Sequence, residues 1–368
     1  MVIPRADPHP VLHRMREETP VHRMNGAWYL TRYADVQRAL LDPAIGRQVT
    51  VHEGVDDPLA MVRRNMFNLD PPDHTRLRRL MAPAFGPRTV ARLDRRIGEI
   101  VSALVTGLHG EVDVIERVAL PLPMLVMADL VGFPAADAPK LRVWSDAMLR
   151  SYHAPRIRAA GLAFVRYIEK QAAARRETPR DDLLTRLAIS GELDHEELVS
   201  SVFQLVMAGD ETTVNLIGNG MLELLRHPGE LDRLRRDPGL IGSAVEEMMR
   251  FNGPVGHSRP LYALSDVAFG DVVIPRGDMI IPVLLAANRD PAVFPDPDVF
   301  DIGRTPNRHL GLGHGIHFCL GAALARSQAR AAIGALTRFS LELTGDDLEW
   351  TPDLFIHGVR RLPLRVGP

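Results

Sequence analysis

The chain has 368 residues, 46% of them hydrophobic, and its 44 basic and 46 acidic side chains leave a net charge of −2. That length allows a large buried core, and the balanced charge argues against a nucleic-acid partner and against attachment to a membrane surface. The single cysteine excludes an intramolecular disulfide, and with it the class of small secreted domains that disulfides stabilise.

The N-terminal part of the chain shows no apolar signal core, because residues 1–18 are rich in proline and charge. We therefore expect a cytoplasmic protein with no membrane partner. The longest apolar stretch, residues 118–133, is interrupted by Pro121, Pro123 and Asp129 and is too short to cross a bilayer. It is expected to form buried core.

The first half of the chain shows mainly helical periodicity. A strand is predicted over residues 28–31, where aromatic and β-branched residues are favoured. Over residues 71–79 two prolines open a predicted helix. Apolar residues recur every three or four positions over residues 89–108, which predicts an amphipathic helix.

The second half begins with a long predicted helix over residues 196–227, which Pro228 ends. Strand patterns over residues 267–274 and 279–285, separated by a Pro-Arg-Gly turn, predict a hairpin. An alanine-rich helix is predicted over residues 322–339. We expect a mainly α-helical protein with small β-sheets and, since no repeat or linker is present, one domain that covers residues 1–368.

An irregular segment rich in proline and glycine covers residues 288–321 and contains the only cysteine, Cys319. Irregular segments of this length inside a compact domain are usually functional. Gly311, Gly313 and Gly315 allow tight turns or close approach to a flat ligand. Cys319 precedes the last predicted helix, whose N-terminus would stabilise a thiolate.

Two other interpretations of Cys319 compete with that of a ligand to a large planar group. The first is an ordinary buried cysteine, which is common among free cysteines. The second is a zinc site formed with His309, His314 and His317, which carry suitable donor atoms. Zinc is disfavoured because His317 and Cys319 are only two residues apart, and three glycines suit a large planar group better than a compact tetrahedral site.

Residues 312–321, LGHGIHFCLG, resemble the haem-binding signature of the cytochrome P450 family. The resemblance implies a single-domain cytochrome P450 fold that binds haem b, with Cys319 as the axial ligand of the iron. Leu312 departs from the phenylalanine that the family usually has at this position. In this family, thiolate ligation donates electron density to the iron and favours cleavage of the O–O bond.

A polar segment, AGDETT, interrupts the long predicted helix at residues 208–213. It resembles the oxygen-binding segment of the family, which implies that Ala208 and Gly209 contact the haem. Glu211 and Thr212 match the acid and the alcohol that deliver protons for oxygen activation, and Asp210 is the other candidate acid. The alternative is an ordinary cap or kink motif.

Glu247 and Arg250 lie one helical turn apart, a spacing that by itself means little because exposed pairs contribute only about 0.2–0.5 kcal/mol. The family, however, has a buried Glu-x-x-Arg pair that is joined by a further arginine, matched here by Arg304. The resemblance therefore implies that these three residues form a structural network.

The resemblance also implies that the haem propionates bind His74, Arg78, Arg259 and His317. His74 and Arg78 are four residues apart and share a helix face, and the planar guanidinium of arginine suits carboxylates. The alternative for His74 and Arg78 is a solvated basic face.

By resemblance, the chain is expected to be a monooxygenase that hydroxylates or epoxidises a small organic substrate, a secondary-metabolite intermediate. Electrons would come from a ferredoxin and a ferredoxin reductase, which would dock near Arg326 and Arg330. A peroxygenase is disfavoured because the pair Glu211 and Thr212 is present. The remaining alternative is a haem-binding sensor or substrate-presenting module without turnover.

Motif alignment places Gln204, Met207, Val255 and Ile356 toward the substrate. Two segments that would cover the pocket, residues 45–65 and 149–158, look short for the family. An open or unusually shaped pocket is therefore predicted.

Overall fold

A computed structural model describes residues 3–47, 59, 62–149, 153–345, 348–352 and 354–367. Most of the described chain is helical. The α-helices are α1 His9–Glu18, α2 Tyr33–Ala39, α3 Asp73–Met81, α4 Pro87–Val105, α5 Pro121–Val131, α6 Ala138–Leu149, α7 Ala154–Glu177, α8 Leu183–Ile189, α9 His195–Arg226, α10 Pro228–Arg236, α11 Ile241–Asn252, α12 Leu284–Ala287 and α13 Ala322–Leu336.

Besides several short helical turns, the described residues form ten short strands. They are β1 Val21–Met24, β2 Ala27–Leu30, β3 Ile45–Gly46, β4 Gly110–Asp113, β5 Leu261–Ala263, β6 Val267–Phe269, β7 Val272–Ile274, β8 Met279–Pro282, β9 Ser340–Leu343 and β10 Pro363–Gly367. One sheet has the order β1-β2-β8-β5-β3, a second has the order β4-β10-β9, and β6 pairs with β7. The expectation of a mainly α-helical chain with small β-sheets is confirmed.

The predicted hairpin between residues 267–274 and 279–285 is wrong. Residues 267–274 form a hairpin of their own, in which β6 and β7 turn at Gly270, a residue with a φ of +59°. A two-residue turn that begins with glycine is a preferred hairpin connection. β8 pairs instead with β2 in parallel and with β5 in antiparallel orientation, which buries Ile280 in the core.

The predicted helices agree with the observed ones to within three residues at each end. The prediction over residues 89–108 corresponds to α4, the one over residues 196–227 to α9, and the one over residues 322–339 to α13. Proline explains the boundary between α9 and α10, since Pro228 is the first residue of α10 and lacks the N–H that would continue the preceding helix.

Contacts between Cα atoms divide the chain into two compact units. The first unit contains residues 1–47, 101–119 and 212–368, and the second contains residues 48–100 and 120–211. All ten strands belong to the first unit. The assignment of residues 1–368 to one domain stays a prediction.

Each unit has its own apolar interior. In the first unit, a cluster that includes Leu30, Phe269 and Phe294 packs around the five-stranded sheet. In the second unit, α5 is almost entirely buried, as expected for the apolar stretch in which it lies. Asp182 caps α8 by accepting a hydrogen bond from the Thr185 backbone N–H at 2.8 Å.

Of the two segments predicted to cover the pocket, the first lies largely and the second partly outside the described residues. Within 45–65 the structure describes 45–47, 59 and 62–65, and within 149–158 it describes 149 and 153–158. Among the helices of the described ranges, none combines the length and the apolar character that a bilayer-crossing helix needs.

Candidate active site

The segment that carries Cys319 is a tight loop of the first unit, placed directly before α13. Its glycines are required by the backbone, because Gly313 has a φ of +75° and Gly315 has a φ of +69°. The Cys319 N–H donates to the Leu312 carbonyl at 2.9 Å, and the Cys319 carbonyl accepts from the Ala322 N–H at 3.3 Å. These bonds fix the cysteine backbone relative to the start of α13.

The loop has the exposure expected of a surface that receives a flat apolar ligand. Cys319 is a free cysteine and is partly exposed. Ile316 and Phe318, the apolar side chains that accompany it, are exposed although large apolar side chains are usually buried. At Gly315 an added Cβ would lie 2.7 Å from the Leu40 carbonyl oxygen, so the backbone here allows no larger residue. The donor set and the shape fit a thiolate-ligated haem.

The zinc alternative finds no support in the structure. Across the described residues, no group of three or more His, Cys, Asp or Glu side chains is arranged to hold a metal ion. His309, one of the candidate ligands, is occupied otherwise: its Nδ1 accepts from the Gly311 N–H at 3.1 Å, and its Nε2 lies 3.0 Å from Glu246 Oε2.

Glu246 connects His309 to α13, a contact that motif reasoning missed. Arg326 donates two hydrogen bonds to Glu246, at 2.6 and 2.7 Å. Burial alone would raise the pKa of Glu246, but the hydrogen bonds from Arg326 and His309 outweigh it and lower this pKa to about 2. The pKa of Arg326 is raised, chiefly by Glu246 and also by the nearby charge of Cys319.

The structure brings Glu247, Arg250 and Arg304 together in the first unit. Arg250 Nε and Nη2 donate to the two carboxylate oxygens of Glu247 at 2.7 Å each, and Arg304 Nε donates to Glu247 at 3.2 Å. Arg250 also donates to the backbone carbonyls of Asn288 and Pro297, at 3.0 and 2.8 Å. The network therefore joins α11 to the irregular segment that leads to Cys319.

The polar segment of α9 lies where the helix surface opens. From residue 197 to residue 224 every residue is buried except Met207, Ala208, Gly209 and Thr212. Ala208 and Thr212 are four residues apart and share a face of the helix. An accessible patch in the middle of a buried helix indicates space for a ligand next to that face.

Glu211 and Asp210 differ in their surroundings within the second unit. Asp210 is fully buried and accepts hydrogen bonds from Arg142 at 2.9 and 3.0 Å and from the Ser145 hydroxyl at 2.6 Å. Burial raises the pKa of Asp210, whereas the charge of Arg142 and the hydrogen bond from Ser145 lower it. The net result is a raised pKa of about 6. Glu211 is also buried, with Arg142 Nη2 at 3.4 Å.

Two of the predicted substrate-facing residues meet in the first unit. Val255 and Ile356 are paired in an isolated antiparallel β-bridge. Gln204 and Met207 lie on α9 in the second unit, and the buried Gln204 Oε1 has no hydrogen-bond partner among the residues that the structure describes. An unsatisfied buried amide oxygen is costly, so a ligand that donates a hydrogen bond to it would be favoured.

The residues predicted to bind propionates are distributed over both units. His74 and Arg78 lie one turn apart on α3 of the second unit, His74 buried and Arg78 partly buried. Arg259 and His317 belong to the first unit, and both are partly buried. His317 ends the short helical turn Gly315–His317 directly before Phe318 and Cys319.

Comparison with known proteins gives consistent results. The family model described as "Cytochrome P450" matches residues 133–238 and 240–364. The chain is 38% identical to "Cytochrome P450 monooxygenase PikC" of Streptomyces venezuelae over 98% of this chain and 91% of that protein. It is 40% identical to "Vitamin D(3) 25-hydroxylase" of Pseudonocardia autotrophica, over 98% and 94%.

The solved structures agree. The fold matches that of "Bacillus subtilis 168 Bacillaene Polyketide Synthase (PKS) Cytochrome P450 PksS" with a TM-score of 0.92 and 37% identity, over 99% of this chain and 98% of that one. A mainly helical fold and a cysteine loop of this kind define a haem-thiolate protein. The chain belongs to the cytochrome P450 family. It is a monooxygenase of the haem-dependent kind that this family comprises.

Proposed function

We propose that the chain holds haem b through the thiolate of Cys319 and oxidises a secondary-metabolite intermediate. The observation that carries the proposal is the loop before α13, in which the only cysteine is partly exposed and follows two exposed apolar side chains, Ile316 and Phe318. Haem bound to a thiolate supplies an electron-rich iron that favours O–O bond cleavage. The protein supplies binding, orientation and protons.

Four cationic or polar side chains are assigned to the haem carboxylates. In the first unit these are Arg259 and His317, and in the second unit His74 and Arg78. A guanidinium can donate two parallel hydrogen bonds to one carboxylate, and partial burial strengthens such bonds because water competes less. The partial burial of Arg78 and Arg259 supports this assignment.

Glu211 and Thr212 are assigned to proton delivery. Thr212 lies in the accessible patch of α9, where its hydroxyl can exchange a proton with a bound ligand or water. Asp210 receives three hydrogen bonds from Arg142 and Ser145, which occupy both of its oxygens. Arg142 also approaches Glu211 at 3.4 Å, so the choice of Glu211 as the acid rests on its position directly before Thr212, which matches the acid and alcohol pair of the family.

A ferredoxin and its reductase are assigned as the electron donors. Of the two arginines considered for docking, Arg326 is already neutralised by its two bonds to Glu246. Arg330, on the same helix, is exposed. We therefore assign Arg330 rather than Arg326 to the acidic surface of the electron donor.

The substrate is assigned to the class of apolar natural products that carry a hydroxyl or amine. The apolar residues Val255, Ile356 and Met207 favour a hydrocarbon skeleton, and Gln204 Oε1 requires a donor. Two similar proteins support an apolar natural product, since one is named for a bacillaene polyketide synthase and the other as a vitamin D(3) 25-hydroxylase.

The test is the carbon monoxide difference spectrum of the reduced holoenzyme. We expect the red-shifted band of thiolate ligation, and we expect Cys319→Ser to abolish it. His314→Ala is the matched control, because a zinc site would need His314 and a haem thiolate would not. A Cys319→Ser variant that keeps the band would refute the assignment, and turnover with a ferredoxin pair distinguishes the enzyme from a sensor.

A further inference from the structure

A buried polar network lies in the first unit, beside the C-terminal half of α9. It consists of Asn219, Glu223, Asn252 and His357, which are all at least nine-tenths buried. Asn219 and Glu223 are four residues apart and share a face of α9. Buried polar groups are costly unless they are hydrogen-bonded, so the partners of this network indicate what it holds in place.

Asn219 joins α9 to two separate segments of the chain. Its Nδ2 donates to the carbonyl of Asn252 at 3.1 Å and to the carbonyl of His357 at 3.0 Å. Its Oδ1 accepts from the Val359 N–H at 3.3 Å. One amide side chain therefore ties the end of α11 to the segment that carries His357.

His357 and Asn252 connect the same two segments directly. His357 Nε2 lies 2.8 Å from Asn252 Oδ1, and Asn252 Nδ2 donates to Glu223 Oε1 at 2.8 Å. Because an amide oxygen can only accept, His357 Nε2 carries the proton. Burial lowers the pKa of His357 to about 4, which keeps the ring neutral at neutral pH, and Trp350 stacks on it at 4.9 Å.

The two segments meet at the bridge between Val255 and Ile356. The His357 N–H donates to the Pro254 carbonyl at 2.9 Å, immediately beside that bridge. The Thr351 hydroxyl donates to the Ile356 carbonyl at 2.6 Å. The bridge lies outside the named strands, and next to it the Gly256 N–H donates to the carbonyls of Leu354 and Phe355 at 3.1 and 3.2 Å. Single hydrogen bonds of this kind, together with the buried network, therefore fix its position.

We propose that the network of Asn219, Glu223, Asn252 and His357 positions the Val255–Ile356 bridge and thereby selects among ligands by size and shape. The inference rests on the proposed function, which places Val255 and Ile356 toward the substrate. None of the four residues is proposed to touch the substrate, so they are positioning residues, and their effect should depend on how far a ligand extends from the haem.

The test compares two nitrogen ligands of haem iron, imidazole and clotrimazole, by spectral titration of the holoenzyme. Imidazole is too small to depend on the bridge, whereas clotrimazole carries bulky rings. We expect His357→Phe, which keeps an aromatic ring but loses the donor, to raise the Kd of clotrimazole by up to about tenfold, the limit reached if the whole free energy of one buried hydrogen bond is needed to restore the position of the bridge. The Kd of imidazole should change less than about twofold.

Three further variants complete the design. His357→Gln keeps an N–H donor and should restore most of the clotrimazole affinity. Asn219→Asp keeps the size of the side chain but loses the two donated bonds, and it supplies a second measurement if His357→Phe does not fold. Tyr167→Phe removes a hydrogen bond to Asp137 in the second unit and should leave both Kd values unchanged.

The outcomes separate this inference from the proposed function. A holoenzyme without the thiolate band would refute both. A normal band with unchanged clotrimazole binding in His357→Phe and Asn219→Asp would refute the positioning role alone. Equal changes in both Kd values would also overturn it, because they would indicate a general effect on the haem.

Discussion

Replacing Glu247 with glutamine isolates the charge of the buried network at almost constant shape. Both Glu247 and Arg250 have 0% side-chain exposure. Glu247 accepts from Arg250 and Arg304, from Asn307 Nδ2 at 3.1 Å and from the Asp301 N–H at 3.0 Å. Because every one of these neighbours is a donor, the NH2 of a glutamine would face donors whichever way it turns.

The expected loss of unfolding free energy for Glu247→Gln is about 3–5 kcal/mol, the range found when one partner of a buried ion pair is removed. The cost arises because Arg250 stays charged in a site that water does not reach. Backbone carbonyls continue to accept from Arg250, which keeps the loss below that of an isolated buried charge.

The matched control is Glu192→Gln. Arg79 and Glu192 form an ion pair at the same 2.7 Å distance, but their side chains are 69% and 48% exposed. Water solvates the exposed Arg79 when Glu192 loses its charge, so the expected loss of unfolding free energy is about 0–1 kcal/mol. Urea unfolding, followed by tryptophan fluorescence and haem absorbance, measures both variants. Equal losses, or a loss below about 1 kcal/mol for Glu247→Gln, would refute the role given to burial.

Two further predictions concern pH and coupling. Burial lowers the pKa of His357 from 6.5 to about 4, so the unfolded chain binds this proton more tightly than the folded chain does. Stability is therefore lost as the pH falls from above 6.5 toward 4. Between about pH 7.5 and pH 5 the contribution of His357 amounts to roughly 2 kcal/mol, which should appear as the difference between the pH dependences of urea unfolding of the unmodified chain and of His357→Phe. Thr212→Ala should bind substrate normally but divert electrons to hydrogen peroxide, and an unchanged ratio of product to NADPH consumed would contradict proton delivery by Thr212.

Local sequence features determined the helices and the chemistry of the site. The three-to-four periodicity of α4 and α9 depends on neighbours within two turns, so it is visible without a fold. The glycine loop before α13 is equally local, because Gly313 and Gly315 supply positive φ angles within the same ten residues as Cys319. For this reason the ligand candidate and the haem-dependent family were accessible from the sequence.

Only the tertiary structure decided which distant groups pair. The strand pattern of β8 did not indicate β2 and β5 as its neighbours, because strand patterns specify a buried face but not a partner. The contacts of Arg326 with Glu246 and of Asn219 with His357 join residues 80 and 138 positions apart. Such contacts leave no periodic signal in the chain, and burial, which gives them their strength, is a property of the folded state alone.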